Sequence, residues 1–475
     1  MLASLILCPS WDPQFPPAGI ALLSAELKRA GHDARVFDIN RGVYLLEVAR
    51  DAHFSESQPS PGDPWTELPY VRDQVLPAHR SWIEARLRAL LDEGCRFFGF
   101  SVYSSNVVFS LEAARMIKRL APDATVAFGG PGCLTFAECL EHLRHDCVDA
   151  VFYGEADVSL PRFMDALEKT GRRRASAGVL LREEPETWKE ASDRLPELDA
   201  LPFADFDAFD SLHGYSGKTL HTTRGCVRRC VFCADWREMP FRTMSGRRIF
   251  DEAVHQLGRH PGMRTFLFGD SVLNASLPNL DEFCRLTEAA GLDIVWGGYA
   301  IARPDLSGTM LARMRAAGCA ELMYGIESGS ARVLRAMDKS VPPEINARVL
   351  RDTTRAGIKA TTPWIVGFPV ETDADFEESL EFIRVNAAHI ALLAPSLFSI
   401  AELKPQARKF GLDPNDSDLF WKTRDGRNTF PVRLERLRRT METAAAHGVK
   451  TAYQGKTSLA DLPAYEERLM RLYRA

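Results

Sequence analysis

Three cysteines fall within eight residues in the run Arg224-Gly225-Cys226-Val227-Arg228-Arg229-Cys230-Val231-Phe232-Cys233. Thiolates are soft ligands that select iron–sulfur clusters, zinc or copper(I). A structural zinc site takes four ligands, usually as two pairs, and no second Cys or His pair lies beside this triplet. His221 sits on the strand expected to lead into the loop and is poorly placed as a fourth ligand. Three thiolates on a four-iron cluster leave one iron without a protein ligand. An open iron can chelate the amino and carboxylate groups of a small molecule, and the spacing of Cys226, Cys230 and Cys233 suits that use. The alternatives, core cysteines or a zinc knuckle, leave the loop and the strands that follow it unexplained.

The elements around the triplet read as α/β. The chain has 475 residues, and at roughly 150 residues per domain two or three domains are expected. In residues 1–168 short apolar strands alternate with amphipathic helices. LASLIL, ARVFDI, FFGFSVY, ATVAFGG and AVFYGE are strands, and helices are expected over 20–30 and 81–92. That alternation predicts a doubly wound, Rossmann-like parallel sheet with helices on both faces, and a ligand at the turns that follow its strands. A Pro/Ser-rich loop, SQPSPGDP, interrupts it. Residues 169–212, with GRRRA and REEPE, read as a connector.

From KTLHTTRG onward the alternation resumes with RTFLFGD, DIVWGGYA, ELMYGIE and ATTPWIVGFP as strands. Helices are expected near 246–258, 279–290, 307–317, 331–336, 343–356 and 373–387. Residues 213–400 therefore read as a partial (β/α)6 barrel, whose function should sit at the C-terminal ends of its strands. Residues 401–475 read as a C-terminal helical region, in which Trp421 and Arg424 are expected to pack and pair at the surface rather than meet a substrate.

CVRRCVFC resembles the CxxxCxxC signature of the radical S-adenosylmethionine (SAM) superfamily. The resemblance implies a [4Fe-4S] cluster on Cys226, Cys230 and Cys233, with Phe232 packed near the adenine of S-adenosylmethionine. It also implies reductive cleavage of that cofactor to a 5′-deoxyadenosyl radical, with an electron donor such as a flavodoxin or ferredoxin. Asp270 and Ser271, ending FLFGDS, match the strand end where the family holds the methionine moiety. Glu327 and Ser328 in YGIESGS resemble the ribose- and methionine-contacting strand. Gly367, Pro369 and Glu371 in IVGFPVET resemble the strand along the adenine. The structural alternatives are a helix cap for Asp270, a buried ion pair for Glu327 and a turn glycine for Gly367. Arg303 in GGYAIARPD resembles a recurring family position, and a salt bridge is an equal reading.

PPAGIALLSAELKRAGHDARVFDIN resembles the opening of cobalamin-binding domains fused to radical SAM enzymes. GFSVYSSN and AFGGPGC fit the same fold, which implies that Ser101, Ser104, Gly129 and Gly130 line the cobalamin tail; Gly154 and Glu155 match a family stretch near the domain's end. The loop PSWDPQFPPAG has Asp12 but none of the axial histidine of a DxHxxG loop, so a histidine-off mode is implied. The alternative is a scaffold without cobalamin. The function implied is methylation of an unactivated carbon of a small-molecule or natural-product substrate; the rival is a radical dehydratase, cyclase or rearrangement enzyme.

Composition bounds the partners. With 45% hydrophobic and 26% charged residues the chain is expected to be soluble and globular, and its net charge of -5 gives no basic field for nucleic acid. A tRNA methylthiotransferase, with Cys8, Cys95 and Cys147 on a second cluster, is disfavoured on that ground. The apolar opening stretch breaks at Pro9 and reads as a strand rather than a signal peptide. No run is long enough to span a bilayer. Cys8, Cys95, Cys284 and Cys319 stand singly in apolar runs, which fits a reducing cytoplasm.

Overall fold

The computed structural model describes residues 1–48, 64–185, 194–210, 212–339, 341–453 and 458–474. The loop expected at 57–64 lies outside these apart from Pro64, and REEPE lies outside at its last residue. The chain divides into two compact units, Met1–Leu220 and His221–Ala475. No described helix is long and apolar enough to cross a membrane.

The first unit runs β1 (Leu2–Leu7), α1 (Ala18–Arg29), β2 (Asp33–Asp38), α2 (Ile39–Val48), α3 (Leu76–Asp92), β3 (Phe97–Ser101), α4 (Val107–Leu120), β4 (Thr125–Gly129), α5 (Phe136–Leu143), β5 (Ala150–Phe152), α6 (Ser159–Thr170), β6 (Val179–Leu181) and β7 (Lys218–Leu220). Its six-stranded sheet has the order β2-β1-β3-β4-β5-β6. The five strands from β1 to β5 are parallel because each is a short apolar run followed by a helix that carries the chain back. Both faces are buried: Ile6, Phe98, Phe100, Val126 and Phe128 pack with Ile83, Leu87 and Leu90 of α3 and Phe109, Ala113 and Ile117 of α4. The order reverses between β1 and β3, the point at which doubly wound sheets place their ligands.

The expected connector, 169–212, is not all linker. Val179, Leu180 and Leu181 form β6, pair antiparallel with β5 and are buried. A three-residue strand between basic and acidic runs is too short to show a period.

The second unit runs β8 (Thr223–Arg224), α7 (Asp235–Glu238), β9 (Arg242–Thr243), α8 (Gly246–Arg259), β10 (Thr265–Phe268), α9 (Leu277–Ala289), β11 (Val295–Ala300), α10 (Gly308–Ala316), β12 (Cys319–Tyr324), α11 (Ala331–Ala336), α12 (Pro343–Arg355), β13 (Lys359–Val366), α13 (Asp373–Asn386), β14 (Leu392–Leu397), α14 (Phe430–Ala446), β15 (Lys450–Thr451) and α15 (Leu462–Arg474). Strands β10 to β15 lie side by side in chain order and parallel. That is the succession of an incomplete (β/α) barrel. Ser245, Ser276, Ser307 and Thr372 cap α8, α9, α10 and α13 through their side chains, and each cap fixes where a strand-to-helix loop must end. Residues 401–475, read as helical from the sequence, also supply β15, which pairs with β14.

Candidate functional site

The loop from Cys226 to Cys233 leaves β8, itself paired antiparallel with β9. It is pinned from several sides. The Val231 amide donates to the Met337 carbonyl (3.0 Å), and the Trp236 indole donates to the Cys230 carbonyl (3.0 Å). Arg237 donates to the Cys233 carbonyl (3.1 Å) and to Glu402 (2.7 Å). Phe232 packs with Val231 on an apolar cluster that includes Val333, Leu334, Met337 and Phe368.

Cys230 is buried and Cys226 and Cys233 are half-buried. Burial pushes all three thiols up, Cys233 to about 12. Three soft donors on a braced loop, with no fourth Cys or His in the run, fit an iron–sulfur unit better than a four-ligand zinc.

Asp270 is buried just after β10, and its carboxylate faces the approach to this loop. Oδ1 accepts the amides of Thr222 (2.7 Å) and Thr223 (2.7 Å), and Oδ2 accepts the Thr222 hydroxyl (2.5 Å). His221 Nδ1 lies 3.8 Å away. This corrects the expected single strand over 218–225: the amides that would continue it turn to a carboxylate, and the strand ends at Leu220 and restarts at Thr223. Ser271 follows, half-buried.

The GIES stretch leaves β12. Glu327 takes a left-handed backbone (φ 65°), and its carboxylate pairs with Lys339 Nζ (3.0 Å). The ion-pair alternative raised from the sequence is what this geometry holds. Ser328 is fully buried and bonds the Ser379 hydroxyl (3.1 Å) and the Ser330 amide (3.1 Å), so its hydroxyl is spent inside the fold.

After β13, Gly367 turns with φ 80° and packs against the Arg433 side chain. Glu371 is buried, accepting the Gly367 amide (3.1 Å) and pairing with Arg436 (3.0 Å). Burial pushes its carboxyl up to about 7 against the pull of Arg436. Pro369 lies on the turn between them. Arg303 is occupied too, paired with both oxygens of Asp305 (2.5 and 2.6 Å) and donating to the carbonyls of Asn274 and Ala275. Trp421 is a core residue, its indole donating to the Phe398 carbonyl (2.9 Å) under the Arg433 guanidinium, and Arg424 is exposed.

In the first unit, the loops after β1, β3 and β4 are tied together. The Ser105 hydroxyl donates to the Ser10 carbonyl (2.8 Å), and Asn106 donates to the carbonyls of Cys8 (3.2 Å) and Ser101 (3.1 Å). Trp11 and Tyr103 lie together, ring centroids 4.2 Å apart. Asp12 accepts the amides of Gln14 and Phe15, capping its own turn. Ser101 ends β3, Ser104 is exposed on the following loop and Gly129 ends β4. A Cβ on Gly130 would stand 3.3 Å from the Val102 backbone, so this turn lies close against its neighbour. Gly154 donates to the Cys133 carbonyl (3.0 Å), and Glu155 is half-buried beside it. Cys8, Cys95 and Cys147 are buried in the apolar core and do not form a ligand group among the described residues.

Sequence reasoning missed Ser105, Asn106, Lys339, Ser379, Asn428 and Arg436. Ser105 and Asn106 lie within GFSVYSSN and Lys339, Ser379, Asn428 and Arg436 outside any quoted motif, and their partners elsewhere in the chain are not revealed by spacing.

Residues 220–383 match the family model described as the Radical SAM superfamily, so the chain carries a radical SAM domain there. An uncharacterized methyltransferase of Pyrococcus horikoshii is 26% identical over 308 residues, covering 62% of this chain and 66% of that relative. The TsrM radical S-adenosylmethionine methyltransferase from Kitasatospora setae, solved with tryptophan substrate and a SAM analogue, superposes with a TM-score of 0.65 at 16% identity over 100% of both chains. The cobalamin-dependent radical enzyme OxsB, solved with aqua-cobalamin, gives 0.62 at 17% identity over 81% of this chain and 52% of its own. The chain thus spans about two thirds of the Pyrococcus relative and about half of OxsB. The chain shares the fold of these two solved structures.

Proposed function

We propose that this chain is a cobalamin-dependent radical SAM methyltransferase acting on a carbon of a small-molecule or natural-product substrate. The observation that carries the reading is the braced loop of three thiols, Cys226, Cys230 and Cys233, in a domain that matches the superfamily. When bound, the [4Fe-4S] cluster supplies an electron, S-adenosylmethionine the radical precursor and cobalamin the methyl carrier.

The chain's own residues hold and shield that chemistry. Cys226, Cys230 and Cys233 ligate the cluster, leaving one iron open. Phe232 offers an apolar face beside the last ligand. Asp270 and Ser271 stand on the adjacent strand end, with Asp270 fixing the loop's approach. Glu327 brings a carboxylate to the strand end after β12, whereas buried Ser328 acts through the backbone it organises. Gly367 and Glu371 shape the turn on which the adenine is proposed to rest. In the first unit, the loops carrying Ser101, Ser104, Gly129 and Gly130 are proposed to receive cobalamin. Residues 8–17 contain no histidine, so cobalt would have no imidazole from that loop. A flavodoxin or ferredoxin is the proposed donor, and a reducing cytoplasm the compartment that suits ten free cysteines.

The test is anaerobic purification with hydroxocobalamin present, followed by iron, sulfide and cobalt analysis and a 5′-deoxyadenosine assay. About four irons and one cobalt per chain, with 5′-deoxyadenosine lost in Cys230→Ala, are expected. Iron without cobalt makes a cobalamin-independent radical enzyme the better reading. No 5′-deoxyadenosine from reduced protein sinks radical chemistry altogether.

A further inference from the structure

Among the described residues only two non-glycine positions have positive φ, Glu327 (65°) and Asp338 (55°). Such backbone costs on the order of 1–3 kcal/mol and persists where the surroundings over-determine it. Both serve one contact. Glu327 is locked by backbone bonds to Pro363 (3.1 Å) and Ile365 (3.0 Å) on β13. Asp338 turns the chain at the end of α11 and delivers Lys339 to Glu327 (3.0 Å) and to the Gly325 carbonyl. A Cβ at Gly325 would stand 2.5 Å from Glu327 Oε1 and 2.8 Å from Lys339 Nζ, so a side chain there would push on the ends of both partners.

This ion pair borders the cysteine loop. Met337, two residues before Lys339, accepts the Val231 amide in the middle of the triplet (3.0 Å).

We propose that Lys339, held by Glu327, is the positioning charge that sets the reduction potential of the cluster on Cys226, Cys230 and Cys233. The inference rests on the cluster reading above. Adding an electron beside three thiolates adds negative charge at a partly buried place, where a fixed ammonium favours it and a fixed carboxylate opposes it. The two members of the pair therefore act with opposite signs.

The experiment is an EPR-monitored dithionite titration of the reconstituted protein, without S-adenosylmethionine, for wild type, Lys339→Gln, Lys339→Arg and Glu327→Gln, each with its iron content measured. Lys339→Gln is expected to lower the reduction constant about tenfold, equivalent to about 59 mV for a one-electron couple. Glu327→Gln should move the potential the other way, and Lys339→Arg should stay near wild type. A merely structural role predicts the same direction for both neutral variants, or none, and either result overturns the proposal while leaving the cluster in place. If wild type assembles no cluster, the radical reading falls and this inference falls with it. Should Lys339→Gln fail to fold, the sign of the Glu327→Gln shift decides.

Discussion

Asp270 holds Thr222 at two points, through the amide at 2.7 Å and the hydroxyl at 2.5 Å, and in doing so ends one strand and starts the loop that carries the cysteines. The carboxylate also takes the Thr223 amide. It is thus spent on the chain entering the site before any ligand arrives. Asp270→Ala removes three charge-assisted hydrogen bonds from a buried position and should cost about 2–4 kcal/mol. Asp270→Asn keeps an amide acceptor and should cost less. Thermal unfolding of the apo chain reads the stability, and iron per chain after gel filtration reads the loop. Wild-type iron retention in Asp270→Ala would remove its role in holding the loop.

Glu371 and Arg436 form a buried pair at 3.0 Å, with the Gly367 amide on the same carboxylate oxygen. Removing one partner leaves an uncompensated buried charge, so Arg436→Met should lose about 3–5 kcal/mol. Arg436→Met with Glu371→Gln should recover part of that loss, since neither charge is then stranded. A double-mutant cycle by urea unfolding checks the coupling. Strict additivity of the single effects would show that the pair does not act as a unit.

The site was legible in the sequence where one short segment carries all its chemistry. The triplet announces itself because three soft ligands on one loop are rare without a metal. The strands behind it were legible because each is an apolar run closed by a turn, and their order follows the chain. What spacing could not show is how residues far apart pair. The carboxylate of Asp270 reads from the sequence as a ligand-facing group and is found holding Thr222 and Thr223. Ser328, expected to meet a cofactor, bonds Ser379 of α13 instead. Lys339 carries no motif at all, since its place depends on two left-handed turns that side-chain pattern does not encode. In the first unit the strands were legible and β6 was not, for three residues do not make a period.

Asp375 gives the fold an acid limit. Burial pushes its carboxyl up, but bonds from the Arg332 guanidinium, the Thr372 hydroxyl and amide and the Ser330 hydroxyl outweigh that and hold it well below the usual carboxylate range. A carboxylate depressed in the folded state contributes stability that is fully present above its unfolded value, about pH 4, and is lost as pH falls below it. Urea midpoints of the apo chain should therefore decline between about pH 4 and pH 2. Asp375→Asn should be about 2 kcal/mol less stable at neutral pH and show a shallower decline. An equally steep acid decline in that variant would assign the loss to other groups.

Gly367 and Gly357 separate backbone strain from close packing. Both have positive φ, 80° and 78°, so alanine at either pays the left-handed penalty of about 1–2 kcal/mol. At Gly357 a new Cβ meets nothing nearer than Arg315 Nε at 3.7 Å. At Gly367 it would stand 2.3 Å from Arg433 Cγ and 2.5 Å from Cδ. That side chain has little freedom to withdraw. It is fully buried, it stacks on Trp421 at 3.6 Å, and it donates to Leu419 (2.7 Å), Trp421 (2.9 Å) and Asn428 (3.2 Å). Asn428 in turn donates to the carbonyls of Gly367 and Phe368 (3.1 Å each), so displacing Arg433 disturbs the same turn twice. Gly367→Ala should thus lose about 3 kcal/mol or more, and Gly357→Ala about 1–2 kcal/mol. Equal losses in thermal unfolding would mean that Arg433 yields freely and that the turn after β13 is shaped by backbone preference alone.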